Sequence, residues 1–420
     1  MNSKQILKLF ISSGFYRAVG SLLVLLVTLV IAKKLGAESS GLYFLGFAVI
    51  TFLANLSRLG LDNAVLKLVS INYRHDDGVV ASIILTALII IGGVGLALSF
   101  LILNWSESFS LLLFENHRVS IVIDKMVPYM VISSWCFIIA MALQGMQKLI
   151  QSIFITNIII NIFFLVFLYL IDGLSALRAV EILFFSAVIN LSFGIYFLRP
   201  IFRKGLKIRL VWKELVTLAK PLFIIVLCNQ ILLWLGQIVL GIYGTTAEVS
   251  NFAVAQRISM LVSFFLMAIN LVVAPKYARL YNSNDSEALK KLVALTGRIN
   301  VAITIPIVSI VILFSESFFA YFGDGYDKAS FALIILALGQ LLNAITGSVG
   351  YLLSMTGHEK KMRNNSVASA LFMLVLSFTL IKFYGVNGAA VATAFCVALN
   401  NLLNLYSVNK HVGVNPLKLT

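Results

Sequence analysis

Long apolar runs separated by short polar breaks dominate the chain, over residues 13–34, 41–66, 79–103, 126–147, 151–171 and 176–198, and again over 217–243, 250–274, 299–321, 329–356, 366–384 and 387–409. Runs of about 20 residues suit helices through a hydrocarbon core of roughly 30 Å, and their continuity excludes the alternating ten-residue strands of an outer-membrane barrel. The pattern predicts an all-α integral membrane protein with about twelve transmembrane helices. The order also repeats. Ala37-Glu38 with Ser40 returns half a chain later as Ala247-Glu248 with Ser250, and the spacing of Gly145 and Gly173 is that of Gly357 and Gly385. Two parallel six-helix halves around a central cavity follow, an N-terminal lobe over 1–205 and a C-terminal lobe over 206–420.

Composition agrees with the pattern: 60% of residues are hydrophobic and 12% charged, roughly half the charge of a soluble domain. The first run follows Lys4 and Lys8 and ends in Ala32-Lys33-Lys34 without a cleavage site, so it is expected to remain in the mature chain rather than serve as a signal peptide. Cys136, Cys228 and Cys396 each lie inside an apolar run, which predicts buried thiols rather than a disulfide framework.

Basic residues set the orientation. With the N-terminus inside, only Lys33, Lys34, Arg118, Lys125, Arg178, Lys328 and Lys382 fall outside, three arginines fall within spans, and the rest of the 32 Lys and Arg are inner. Both termini are therefore expected in the cytoplasm. The connection from Arg199 to Lys220 is the most basic and reads as a topology determinant against an anionic leaflet. The net charge of +15 needs no nucleic acid. Asn282 to Asp285 cap a predicted surface helix over Glu287–Lys291, and the longest outer loop, about Asn104 to Lys125, is expected to lie along the interface with Trp105 and Phe109.

The exceptions to apolarity carry the candidate chemistry. On a helical projection Ser13, Arg17, Ser21 and Thr28 share one arc of the first run, and Thr51, Asn55, Arg58 and Asp62 share one of the second. A charge facing lipid would cost several kcal/mol, so these faces point to a hydrated cavity. Arg257, with Gln256 beside it, adds a cation about seven residues, roughly 10 Å, below the outer end of its helix. Bland readings stand beside each: Arg58 paired with Asp62 one turn away, Arg17 snorkelling to the inner surface, and amides such as Gln230, Gln237 and Asn343 bonding between helices. The candidate binding set is Arg17, Asn55, Arg58, Gln256 and Arg257.

Several chemistries are unsupported. The chain lacks a G-x-x-x-x-G-K-[ST] loop for nucleotide hydrolysis, its four histidines sit in loops without metal-ligand spacing, and no nucleophile–base set lies inside a span. Neither a cofactor nor enzymatic activity is expected.

The arginines on the first, second and eighth helices, the basic central connection, the short outer loops and the pattern Arg17…Leu35-Gly36…Gly41-Leu42-Tyr43 together resemble the polysaccharide-export (Wzx-type O-antigen) flippases of the multidrug/oligosaccharidyl-lipid/polysaccharide superfamily. The resemblance implies a MATE-like fold in a bacterial inner membrane. It also implies passage of an undecaprenyl-diphosphate-linked oligosaccharide, such as an O-antigen repeat unit of lipopolysaccharide, from the cytoplasmic to the periplasmic leaflet by alternating access. Arg17, Arg58 and Arg257 would form the cationic cavity, and polysaccharide polymerase machinery would be a partner. Two readings compete: a drug or cation antiporter of the same fold, which three arginines would disfavour, and a membrane glycosyltransferase or polymerase, which would need a catalytic extramembrane loop.

Overall fold

The computed structural model describes residues 3–202, 209–322, 325–326 and 329–416, with backbone alone for 3–13, 264–265, 267–268, 271–272 and 275. Arg203, Lys204, Lys207, Lys328, Lys418 and the expected lobe boundary at 205/206 lie outside the described residues. Every described element is a helix: α1 (Ser3–Ser57), α2 (Leu61–Asn72), α3 (Asp77–Phe114), α4 (His117–Gly145), α5 (Leu149–Ile153), a π-turn (Phe154–Ile158), α6 (Ile159–Leu170), α7 (Ala176–Phe202), α8 (Trp212–Tyr243), α9 (Thr246–Asn282), α10 (Ser286–Leu313), α11 (Ser315–Ala320), α12 (Ala329–Thr346), α13 (Val349–Met355) and α14 (Glu359–His411). Among the described residues nine helices are long and apolar enough to cross a membrane. Two of them, α1 and α14, join two predicted runs, α1 the first run and the second as far as Ser57, and each breaks between them at a glycine with positive φ, Gly36 (70°) and Gly385 (52°).

Local chemistry explains the helix ends. Asp76 Oδ1 accepts from Gly78 N at 2.8 Å and Val79 N at 3.1 Å to start α3. Thr245 and Glu248 form a reciprocal capping box on α9, and Asp285 accepts from Ala288 N at 3.0 Å to start α10. The predicted surface helix over Glu287–Lys291 is thus the opening of α10 and runs uninterrupted into the next apolar run. A larger difference concerns residues 104–125, expected as a loop. Here α3 continues to Phe114 and α4 begins at His117, leaving a two-residue connection. Ser106 and Ser110, which read as loop residues, are buried one turn apart on α3. With 38 residues α3 is about 57 Å long, well beyond a bilayer's hydrocarbon thickness.

Two compact units contain these helices, one over 11–230 and one over 231–420 together with residues 1–10. The first unit has a continuous core from Leu61, Val65 and Val69 of α2 through Ile83 and Ile84 of α3 and Ile138 and Leu143 of α4 to Leu215 and Ala219 of α8. Its chain also docks the end of the basic connection: Arg209 N donates to Ser82 Oγ at 3.0 Å and Val211 N to Thr86 Oγ1 at 3.2 Å. In the second unit one core joins Val273 and Tyr277 of α9, Leu289 and Val293 of α10 and Leu352 and Leu353 of α13, and a smaller one joins Leu232 of α8 to Met373, Ala392 and Cys396 of α14. All three cysteines are free and buried.

Candidate functional site

The arc predicted for the second apolar run is interrupted at its arginine. α1 ends at Ser57, Leu59 (φ 50°) and Gly60 (φ 76°) are left-handed, and α2 begins at Leu61. Leu59 N still bonds Leu56 O at 3.0 Å and Leu61 N bonds Arg58 O at 2.8 Å, so the break is a tight turn rather than a loop. Gly60 is required by its surroundings as well as its φ, since a Cβ there would lie 2.8 Å from Phe223 N and 2.9 Å from Ala219 O on α8.

Arg58 spans this break. Its Nε is 3.3 Å from Asp62 Oδ2 on the far side, and its Nη2 donates to Asn55 Oδ1 on the near side. Its guanidinium carbon lies 4.0 Å from the ring centroid of Phe137 on α4. Asn55, Arg58 and Asp62 are all buried, and Asp62 Oδ1 has no hydrogen-bond partner. The last turn before the break lies against α4: Ser57 Oγ and Ser134 Oγ are 3.1 Å apart, and Ser134 Oγ, which donates to Met130 O at 2.8 Å, is also 3.2 Å from Ala54 O. The structure therefore brings Asn55 and Arg58 together, with Asp62 and Phe137 completing the enclosure.

Arg17 lies elsewhere in the same unit and is half-buried. One turn on, Gly20 faces Asn157 of the π-turn so closely that a Cβ would be 2.6 Å from Asn157 Cβ, and Tyr16 meets Phe154 edge-on at 5.3 Å. The π-turn is held in turn by Asn190 of α7, whose Nδ2 donates to Ile155 O at 2.9 Å. Wide turns of this kind concentrate at functional sites.

In the second unit Gln256 and Arg257 engage consecutive residues of α8. Gln256 is buried and its Nε2 donates to Leu233 O at 3.0 Å, a bond between helices. Arg257 is half-buried, its guanidinium carbon 5.3 Å from the ring centroid of Trp234. Unlike the segment around Arg58, α9 runs unbroken from Thr246 to Asn282. Sequence reasoning missed Phe137, the π-turn and the turn at Arg58; the only local signal for the last was Gly60, two residues beyond the arginine.

The family model for polysaccharide biosynthesis proteins matches residues 6–281. The chain belongs to that family. The chain also matches the MatE family model over residues 221–379. Along 97% of its length it is 23% identical to the "Probable low-salt glycan biosynthesis flippase Agl15" of Haloferax volcanii, covering 84% of that protein. Among solved structures it is similar to the lipid II flippase MurJ in an inward closed conformation, with a TM-score of 0.78 at 17% identity over 95% of this chain and 87% of that one. It is also similar to an inward-facing multidrug resistance MATE family transporter of the MOP superfamily, with a TM-score of 0.79 at 14% identity over 95% and 98%. The fold is thus the all-helical MATE-like one.

Proposed function

We propose that this polysaccharide biosynthesis protein is a flippase that moves a lipid-linked oligosaccharide across the membrane. The carrying observation is the match to a named glycan flippase along 97% of the chain. The chain is a carrier rather than an enzyme, and alternating access of two six-helix lobes, 1–205 and 206–420, is its mechanism. The bacterial inner membrane, both termini in the cytoplasm and an undecaprenyl diphosphate carrier are the finer parts of this reading; the bias of Lys and Arg toward one set of connections supports the orientation.

The chemistry follows from charge. The polyprenyl tail stays in lipid, whereas the pyrophosphate and sugars need a hydrated path. We assign the first contacts with pyrophosphate to Arg17 and Arg257, which are half-buried, because forked guanidinium donors match phosphate oxygens. Asn55 and Arg58 act indirectly, holding the turn that interrupts the second apolar run, and Gln256 fixes the helix that carries Arg257. Moving two negative charges out of a negative interior is favoured by roughly 4.6 kcal/mol at about 100 mV if both cross the whole field. Polysaccharide polymerase machinery would receive the product.

Deleting the gene should leave one lipid-linked glycan accumulating on the cytoplasmic leaflet, and wild-type protein should clear it. Arg257→Ala at matched membrane abundance should not. Full clearance by that variant would refute the assigned site, and absence of any accumulated glycan would refute the substrate. The likeness to a MATE transporter supports a second reading, organic-cation antiport. Uptake of a fluorescent organic cation that depends on this protein, with glycan export intact in the deletion, would decide for it.

A further inference from the structure

One end of the second unit gathers four basic side chains, with Glu359 the acid in the same turn. His358, in the turn before α14, stacks on His411, the last residue of the same helix, with ring centroids 5.7 Å apart at 24°. Tyr281, at the end of α9, meets His358 edge-on at 6.3 Å. Lys361 in the first turn of α14 and Lys410 in its last turn both bear on the charge of His411, as does His358. None of these four forms an ion pair with a carboxylate among the described residues. Gathering like charges raises free energy unless a counter-charge joins them.

The local bonding fixes one imidazole. Thr356 Oγ1 spends its proton on Leu352 O at 2.8 Å, so it accepts the Nδ1–H of His358 at 3.1 Å. Nε2 is the remaining edge, an acceptor when His358 is neutral and a donor once it is protonated. The approach to the cluster is lipid-like. Leu402, Tyr406 and Lys410 succeed one another at one-turn intervals along one stripe of α14, Leu402 and Tyr406 are 50% and 64% exposed, and Lys410 Nζ lies 5.8 Å over the Tyr406 ring. Apolar, aromatic and basic side chains in that order match the passage from acyl chain through interface to headgroup.

We infer that His358, Lys361, Lys410 and His411 form a headgroup site for an anionic phospholipid, its acyl chains along Leu402 and Tyr406. The site does not depend on what the protein transports. Desolvation and the charges of Lys361, His358 and Lys410 hold the His411 imidazole below the usual histidine range, so retention strengthens as pH falls far enough to protonate it; the other titratable neighbours are Tyr281 and Glu359.

The test uses full-length protein in detergent, equilibrated with phosphatidylglycerol or phosphatidylcholine and read by native mass spectrometry. Wild-type protein should retain phosphatidylglycerol preferentially. The double variant Lys361→Gln, Lys410→Gln should retain it at least about tenfold less, at about fivefold for each charge. Lys290→Gln with Lys291→Gln, an equal charge loss on α10, should leave retention unchanged. His358→Gln with His411→Gln should flatten the pH dependence. Equal losses in the two lysine doubles would overturn the site, as would the absence of any preference for phosphatidylglycerol in the wild type. Displacement by millimolar inorganic phosphate would overturn the lipid as ligand and identify free phosphate instead.

Discussion

Arg58 and Arg257 are candidate arginines in different compact units, 11–230 and 231–420, and their surroundings are opposite. Arg58 sits at a turn that interrupts its helix, closed in by Asp62, Asn55 and Phe137. Arg257 rides an unbroken helix, half-buried, with an aromatic face beside it. The difference separates two uses of a guanidinium in a membrane. A fully enclosed one holds the fold because it pairs with Asp62 on the far side of a break and bonds Asn55 on the near side. One that keeps some exposure on a rigid helix is the ligand contact we propose. The two compact units also differ in where helices break: α12 and α13 part at Gly347, whereas α4 runs uninterrupted from His117 to Gly145 despite Pro128.

The sharpest test removes the enclosed arginine. Arg58→Ala leaves Asp62 buried without its counter-charge and should cost about 3–5 kcal/mol, read as lost thermal stability of the detergent-solubilised protein. Converting both Arg58 and Asp62 to leucine should restore most of it. A stable Arg58→Ala protein would end the contrast.

Next come the two turns. Gly60→Ala combines positive φ with a backbone clash and should cost about 3 kcal/mol, whereas Gly347→Ala (φ 71°) has open space around its Cβ and should cost only about 1 kcal/mol in the same assay. Equal costs would mean that the packing of Gly60 against α8 is irrelevant. Smaller still, Ser134→Ala removes the hydroxyl that lies against the end of α1 and should cost about 1 kcal/mol. Smallest in stability is Arg257→Ala, expected within about 1 kcal/mol of wild type, the scale of an exposed cation–π contact. Its glycan export should nevertheless fall at least tenfold (about 1.4 kcal/mol or more), and Arg257→Lys should keep part of it. Loss of folding rather than export would move Arg257 into the class of Arg58.

Much of the architecture was legible because burial in hydrocarbon leaves a coarse signal. The apolar runs, the buried cysteines and the cap at Asp285 follow from transfer free energy and local hydrogen bonding, both of which act within a few residues. The turn at Arg58 was not legible, since apolar periodicity continues through Leu56, Leu59 and Leu61, and the features that enforce the turn come from α4 and α8, far away in sequence. Residues 104–114 failed for a related reason. Their serines and glutamate suggest a loop, but Ser106 and Ser110 are buried on one face of α3. Of the candidate site, the residue types were readable; which arginine is enclosed and which is half-exposed depended on neighbours that no spacing reveals.

The three thiols have a practical consequence. Cys136, Cys228 and Cys396 are each 5% exposed or less, and enclosed thiols react slowly with polar reagents. The natural chain is therefore a quiet background for single-cysteine chemistry. A cysteine placed at Leu59 or Tyr406 would be modified by a membrane-permeant maleimide against little signal, without first stripping the native residues. Movement at the turn beside Arg58 could then be timed as a labelling rate in living cells.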